Sequence, residues 1–230
     1  MPPRICVSIA AESLKELERQ LKKAAEKTDL AEVRLDRLKQ PEKALPIIKK
    51  SRLEVIATLR PAWEGGWFKG SEKKRAGILK KACGAAGFVD VELKADFIAE
   101  VVKEARKKGS RVIVSWHDFE KTPGKKDLET IFKKEKKAGA DVCKIVTNAR
   151  QFGDNNIMLD LVLSNAGAGI IAFCMGEVGI ASRILSPLFG ADFTYACLEY
   201  GKTTAPGQVS VDDVKEIYRV MQRDRINSAA

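Results

Sequence analysis

Short apolar runs and longer polar segments alternate along the whole chain. The apolar runs have the length of β-strands, and the polar segments repeat hydrophobic residues at helical spacing among many Lys and Glu. The predicted strands are Ile5–Ala10, Ala31–Leu35, Glu54–Leu59, Phe88–Leu93, Arg111–Ser115, Asp141–Val146, Gly169–Phe173 and Phe193–Leu198. The predicted helices are Ser13–Lys27, Glu42–Lys50, Glu72–Ala86, Ile98–Lys108, Asp127–Ala138, Asn156–Asn165, Gly179–Leu188 and Val211–Arg223. This alternation favours repeated βα units around a parallel sheet.

The number of predicted units indicates one fold. Eight strands alternating with eight helices in 230 residues is the size of a (β/α)8 TIM barrel. A doubly wound open sheet is the alternative, but no glycine-rich phosphate loop opens the first helix, which weakens its nucleotide-binding version. No linker or break in composition divides the chain. We therefore expect a single α/β domain over residues 1–230.

Composition narrows the possible partners. The formal charge is +10 and the isoelectric point is near 9.4. The basic residues lie mostly in predicted helices beside Glu or Asp, without interleaved aromatic residues, so solvated helix faces explain them better than nucleic-acid binding does. The five cysteines are widely separated and lack metal-binding spacing. No signal peptide and no apolar run of about 18 residues occur, so we expect a soluble cytoplasmic protein without a membrane partner.

The only histidine of the chain follows the fifth predicted strand. It is His117, within Ser-Trp-His-Asp-Phe at 115–119. In a barrel, catalytic side chains lie at the C-terminal ends of the strands, and imidazole is the side chain that ordinarily titrates near neutral pH. His117 is therefore either a proton-transfer group or a buried structural histidine.

A lysine interrupts the sixth predicted strand. Lys144 lies within Cys-Lys-Ile-Val at 143–146, and because burial of an isolated ammonium is costly, it must be paired, neutral or facing a cavity. Arg34 and Arg60 would meet it at the barrel mouth, where burial and neighbouring cations lower the pKa of an amine. A neutral amine can form an imine with a ketone. His117 could then remove a proton from the adjacent carbon.

The last third of the chain offers groups for an anion. Arg183 lies after the seventh strand, where its guanidinium could bind a carboxylate. Thr204 and Gln208 flank a Pro-Gly turn after the eighth strand, which leaves a hydroxyl and an amide for the same ligand. The segment could also simply lead into the last helix with Ser210 as its N-cap, and both interpretations can hold together.

Six motifs together resemble the type I 3-dehydroquinate dehydratases. They are E-V-R-L-D at 32–36, T-L-R-P-A-W-E-G-G at 58–66, S-W-H-D-F at 115–119, C-K-I-V at 143–146, M-G-E-V-G-I-A-S-R at 175–183 and T-A-P-G-Q at 204–208. Their order and spacing match from the first strand to the last helix. The resemblance implies a (β/α)8 barrel that converts 3-dehydroquinate to 3-dehydroshikimate in the shikimate pathway. It further implies syn elimination through a lysine Schiff base, no metal or cofactor, and a homodimer.

The resemblance also assigns roles to individual residues. Lys144 corresponds to the imine-forming lysine, His117 to the general base and acid, and Glu64 to the carboxylate that pairs with the histidine. The expected substrate-binding residues are Glu32, Arg34 and Arg60 for ring hydroxyls, Arg183, Thr204 and Gln208 for the carboxylate, and Met175 as apolar lining. The chain departs from the family at Phe173, where many members have methionine. Tyr195 corresponds to an aromatic lid, and the stretch 196–202 is longer than usual.

Two other functions remain open on the sequence alone. A class I aldolase could use the same lysine, although its phosphorylated substrates usually need a glycine-rich cradle after the last strands. Gly176 and Gly179 are a faint version of such a cradle. A basic binding module on a degenerate barrel would instead use the surface charge and leave Lys144 without a role.

Overall fold

The described residues, 3–199, 201 and 205–221 of a computed structural model, form a nearly closed barrel of eight parallel strands. The strands are β1 Ile5–Ile9, β2 Leu30–Arg34, β3 Glu54–Thr58, β4 Phe88–Glu92, β5 Arg111–Asp118, β6 Val142–Asn148, β7 Ile170–Met175 and β8 Thr194–Cys197. Hydrogen-bonded neighbours run from β7 down to β1 and then to β8. Where β7 meets β8, the rings of Phe173 and Tyr195 lie 6.1 Å apart. The predicted (β/α)8 fold is therefore confirmed.

Eight α-helices surround the strands in the described part of the chain. They are α1 Leu14–Ala25, α2 Leu45–Lys49, α3 Glu72–Ala82, α4 Ile98–Lys108, α5 Lys125–Lys137, α6 Gly153–Ser164, α7 Ile180–Leu185 and α8 Val211–Met221. The helices predicted over 42–50 and 179–188 are each shorter, with one turn replaced by a 3-10 helix that contains Pro41 or Pro187. Proline lacks the N–H that a continuous α-helix needs. Within the same ranges, no helix is both long enough and apolar enough to cross a membrane.

The two-residue period of the strands decides which side chains face the barrel interior. In β6, Val142 and Val146 belong to the interior cluster, whereas Cys143 and Ile145 pack against the helices. Lys144, midway between the two valines, therefore points into the barrel. Three strands are longer than predicted, since β5 continues to Asp118, β6 to Asn148 and β7 to Met175. The five cysteines are all free and buried, where cysteine acts as a small apolar side chain.

A carboxyl group is buried between α5 and β6 without a hydrogen-bond partner. Glu135 is fully buried, and neither of its carboxyl oxygens has a partner among the described residues. The Cys143 thiol faces it but donates to the Phe132 carbonyl at 3.7 Å. Burial raises the pKa of Glu135 well above 4.5. The nearby Cys143 thiol and Lys144 backbone oppose this rise, and the charges of Asp90 and Glu64 add to it. The group therefore costs stability, and more so when it must ionise.

Replacement of Glu135 by Met is expected to raise the free energy of unfolding by about 1–3 kcal/mol at pH 5, because an unpaired polar group is removed. The gain should grow with pH. The unfolded chain releases this proton near pH 4.5 and the native chain releases it only at its raised pKa, so the wild type loses about 1.4 kcal/mol per pH unit between these two values. Urea unfolding at pH 5, 7 and 8 measures both effects.

Glu135→Gln is the matched control for this substitution. Glutamine keeps a buried polar group and removes only the titratable proton. The gain in free energy of unfolding should therefore grow with pH as in Glu135→Met, but without the gain that Glu135→Met shows at pH 5. A free energy of unfolding with the same pH dependence in all three proteins would contradict the account.

Candidate active site

Lys144 lies at the centre of the interior, where two carboxylates hold its amine. Its Nζ is 3.1 Å from Asp90 Oδ2 and 3.3 Å from Glu32 Oε1, and it lies 4.4 Å from the centre of the Tyr195 ring. The sequence suggested arginines as the neighbours of this amine, but its hydrogen-bond partners are acidic. Burial opposes ionisation of Asp90, yet Arg60 and Lys144 outweigh burial and hold the pKa of Asp90 well below 3.8.

His117 and Glu64 form a pair at the mouth of the barrel. His117 Nδ1 and Glu64 Oε1 are 2.8 Å apart, which leaves Nε2 as the ring nitrogen not engaged by Glu64. Glu64 ends a 3-10 turn after β3, and Gly65 follows with φ of 73°, a conformation that suits glycine. The Phe119 ring stacks on the imidazole with ring centroids 5.8 Å apart, and a Cβ added to Gly65 would lie 2.6 Å from the Phe119 ring. The Phe119 ring therefore packs against both the imidazole and the loop that contains Gly65.

The surroundings of this pair favour neutral side chains. Burial raises the pKa of Glu64 to about 8, with Arg60 opposing and Glu92 and Asp90 adding to the rise. Burial and the charges of Arg60 and Lys144 lower the pKa of His117 well below 6.5. Since the two groups share a hydrogen bond, they titrate as one unit. A unit that exchanges one proton near neutral pH can act first as base and then as acid.

The two arginines predicted to bind ring hydroxyls are already engaged by carboxylates. Arg60 donates to Glu92 Oε1 at 2.8 Å, to Asp90 Oδ1 at 2.7 Å and to Ser115 Oγ at 2.6 Å. Arg34 donates through two nitrogens to Asp36, which lies in a 3-10 turn rather than in β2. Guanidinium has five N–H donors, so both side chains are fixed in place while part of their donor capacity remains.

Arg183 is a buried cation of the site that has no carboxylate partner among the described residues. No carboxylate oxygen of the described residues lies within 4.0 Å of it, and its Nε has no hydrogen-bond partner there. Its Nη2 donates to the Pro206 carbonyl at 3.2 Å, and the guanidinium lies 4.3 Å from the Phe173 ring centre. Burial lowers the pKa of Arg183 to about 10. An anion entering the cavity would supply the missing counter-charge.

The loop before α8 completes this side of the cavity. Gln208 Nε2 lies 3.4 Å from Ser8 Oγ and lines the cavity. Ser210 accepts a hydrogen bond from the Asp213 amide at 3.2 Å, which confirms it as the N-cap of α8. Thr204, the third residue predicted here, lies outside the described residues.

One cavity of about 550 Å³, including its open mouth, joins these groups. Its lining contains nine of the ten residues singled out from the sequence, which are Glu32, Arg34, Arg60, Glu64, His117, Lys144, Met175, Arg183 and Gln208. Sequence reasoning missed Ser8 and Phe119, whose strand-end positions were the available signal. In the described ranges, no group of three or more His, Cys, Asp or Glu side chains is arranged for a metal ion.

Comparison with known proteins agrees with this cavity. The family model described as type I 3-dehydroquinase matches residues 5–225. The chain belongs to the type I 3-dehydroquinase family. It is accordingly an enzyme of the hydro-lyase class. The 3-dehydroquinate dehydratase of Methanocaldococcus jannaschii is 38% identical over 221 residues, covering 94% of this chain and 98% of the relative.

Solved structures of the family superpose closely. The 3-dehydroquinate dehydratase of Geobacillus kaustophilus has a TM-score of 0.88 at 26% identity, with 96% of this chain and 91% of that chain covered. The type I 3-dehydroquinate dehydratase of Clostridium difficile, a structure with covalently modified comenic acid, has the same TM-score and identity. It covers 97% of this chain and 93% of its own. The barrel is thus the fold of the family over almost its whole length.

Proposed function

We propose that the protein dehydrates 3-dehydroquinate to 3-dehydroshikimate in the shikimate pathway, through an imine on Lys144 and without a metal or cofactor. The observation that carries the proposal is one cavity lined by an interior lysine, a histidine–glutamate pair and an arginine that no described carboxylate pairs with. These groups are what a carboxylated cyclic ketone needs for imine formation, proton transfer and binding. Family membership supports the same reaction.

In the proposed reaction, Lys144 Nζ attacks the ketone carbon and water leaves, which forms the imine. His117 Nε2 removes a proton from the carbon beside the imine, and the electron pair moves into the imine to give an enamine. The enamine electrons then expel the neighbouring hydroxyl as water, with a proton returned by the same imidazole. Because one group serves both steps on one face, the elimination is syn. Hydrolysis of the product imine restores the amine.

The same proposal gives each lining residue a task. Arg183 and Gln208, with Thr204, bind the substrate carboxylate, since Arg183 offers a buried guanidinium with unused N–H groups. The ring hydroxyls are bound by Glu32, Arg34 and Arg60, through the hydrogen-bond donors and acceptors that their ion pairs within the protein do not use. Met175, buried at the end of β7, lies against the apolar part of the ring. The charged pairs fix these side chains before substrate arrives.

Reduction with borohydride during turnover tests the mechanism directly. With 3-dehydroquinate present, the reduced adduct should add irreversibly to the mass of the peptide that contains Lys144. Lysine left unmodified under turnover conditions would overturn the imine. Turnover of sugar phosphates in place of 3-dehydroquinate would instead point to an aldolase that uses the same amine.

We further propose that the enzyme works as a cytoplasmic homodimer, which rests on the family resemblance. Sedimentation equilibrium of the full chain distinguishes one copy from two by mass. A single species of the chain mass, 25.3 kDa, at all concentrations would contradict the dimer.

The loop that carries Glu64 leaves no room for a side chain at Gly66. A Cβ there would lie 2.0 Å from the Arg60 carbonyl oxygen, a backbone atom that cannot step aside. Gly66→Ala should therefore displace Glu64 and lower kcat/KM about 100-fold, because small misplacements of catalytic groups are costly. Gly77→Ala is the control, since a Cβ at Gly77 in α3 meets nothing within 4 Å. Gly77→Ala should keep full activity, and equal activity of both variants would contradict the prediction.

A further inference from the structure

A fully buried arginine lies behind the active site without lining its cavity. Arg75 is in α3 with no exposed surface. Its Nη1 donates to Glu92 Oε2, and its Nε and Nη2 donate to Glu72 at 3.1 and 2.6 Å. The guanidinium also lies 4.7 Å from the Phe97 ring centre. A charge this well paired and this deep is costly to bury, and the proposed mechanism does not use it.

Arg75 ends a line of alternating charges that begins at the reactive amine. Glu92 bridges two guanidiniums, because its Oε1 accepts from Arg60 and its Oε2 accepts from Arg75. In order, the line is Lys144, Asp90, Arg60, Glu92, Arg75 and Glu72. Glu72 has 40% of its side chain accessible to solvent, whereas each of the other five members has at most 6% accessible. The interior members are therefore little screened by water or salt.

We propose that Arg75 is a positioning residue for the reaction: by neutralising Glu92, it keeps Arg60 balanced and sets the pH at which the His117–Glu64 pair exchanges its proton. The inference rests on the proposed function, because that function gives the proton its catalytic role. The titration of the pair can nevertheless be measured without turnover. Arg60 is the member that transmits the effect, since it lies 3.8 Å from Glu64 Oε1.

The charged groups that face the pair have known signs. The cations are Arg34 on β2, Arg60 after β3, Lys94 after β4 and Lys144 on β6, and the anions are Asp90 and Glu92 on β4. Glu135 on α5 is also within electrostatic range of Glu64 and is kept neutral by burial. Arg75 is the remaining partner of Glu92. Burial raises the pKa of Glu92, with Arg60 and Arg75 opposing the rise. At a pH where Glu92 stays ionised, removal of Arg75 therefore leaves one more uncompensated negative charge near the pair.

The sign of the charge change separates this role from a purely structural one. Extra negative charge favours the protonated pair, so Arg75→Met should move its titration to higher pH. Glu92→Gln removes negative charge and leaves Glu72 as the only carboxylate that pairs with Arg75 among the described residues, so the titration should move to lower pH. The double variant changes both charges and should return near the wild type. Loosened packing has no reason to give shifts of opposite sign that cancel.

His117 is the only histidine in the chain, so an NMR titration of ring-labelled histidine reports this pair without any turnover. The expected shifts are about 0.5–1 pH unit upward for Arg75→Met and downward for Glu92→Gln. Arg106→Met removes the same charge from the exposed face of α4 and is the control, with no shift expected. In active protein, the limb of kcat/KM against pH should move with the NMR titration.

An unmoved titration in Arg75→Met, or shifts of the same sign in the two single variants, overturns the proposal. If Arg75→Met does not fold, Glu92→Gln and the double variant test the proposal. Only a charge effect lowers the pH of the titration in Glu92→Gln and restores it in the double variant. Wild-type protein that does not turn over 3-dehydroquinate refutes the proposed function, whereas the NMR titration still tests the role of Arg75.

Discussion

Replacement of Lys144 by Ala is expected to lower kcat by about 10⁵-fold or more, because the imine has no other amine to form on. The adduct trapped by borohydride should disappear with it. The variant should also lose stability, about 3–5 kcal/mol, since Asp90 and Glu32 then face each other without their shared ammonium. Steady-state turnover, intact-protein mass and urea unfolding measure the three effects.

Lys144→Arg separates these consequences. It keeps a cation between the two carboxylates, so more of the stability should remain, but a guanidinium stays protonated and cannot form the imine. Turnover should be as low as in Lys144→Ala. Recovery of activity to more than about 1% of wild type in either variant would mean that the lysine does not supply covalent catalysis.

The second large effect is expected at His117. His117→Ala should lower kcat by about 10²–10⁴-fold, the usual contribution of a positioned general acid–base group. Imine formation needs only the amine and the ketone, so borohydride should still trap the substrate on Lys144. The amount of trapped adduct per turnover should be higher than in the wild type. The variant therefore separates the proton transfers from the covalent step.

Glu64→Gln provides the matched comparison for this variant. It retains the imidazole but removes its carboxylate partner at 2.8 Å, so its kcat should fall between those of the wild type and His117→Ala. Near-normal turnover of His117→Ala, or loss of the trapped adduct in it, would remove the histidine from its proposed role.

The sequence was sufficient for the parts of this protein that depend on local pattern. Apolar runs of strand length between amphipathic helices predicted the barrel, and the apolar neighbours of Lys144 on its strand predicted a lysine that is paired, neutral or facing a cavity. The motif around His117 placed an imidazole at a strand end. Each inference uses only neighbours along the chain, where the alternation of side chains is fixed by backbone geometry.

The partners of the charged side chains could not be predicted in the same way. The sequence pattern indicated no partner for Asp90 and Glu92 on the fourth strand, and it suggested Arg34 and Arg60 as cations near the lysine. In the structure, acids rather than arginines contact Lys144. Which side chains meet inside a barrel depends on the tilt and stagger of strands far apart in sequence, and the sequence pattern does not contain that information.

Glu135 and Arg75 show the same limit outside the barrel. Both stand in Lys-rich helical stretches that read as solvated faces, yet both are fully buried. The rotation of α5 against β6 and of α3 against β4 decides this, because a turn of a helix about its axis moves a side chain between solvent and core without any change in sequence pattern. The sequence by itself determined the fold and the residues that carry the chemistry. Only the tertiary structure decided how their charges are paired, because electrostatic partners are set by distance in space.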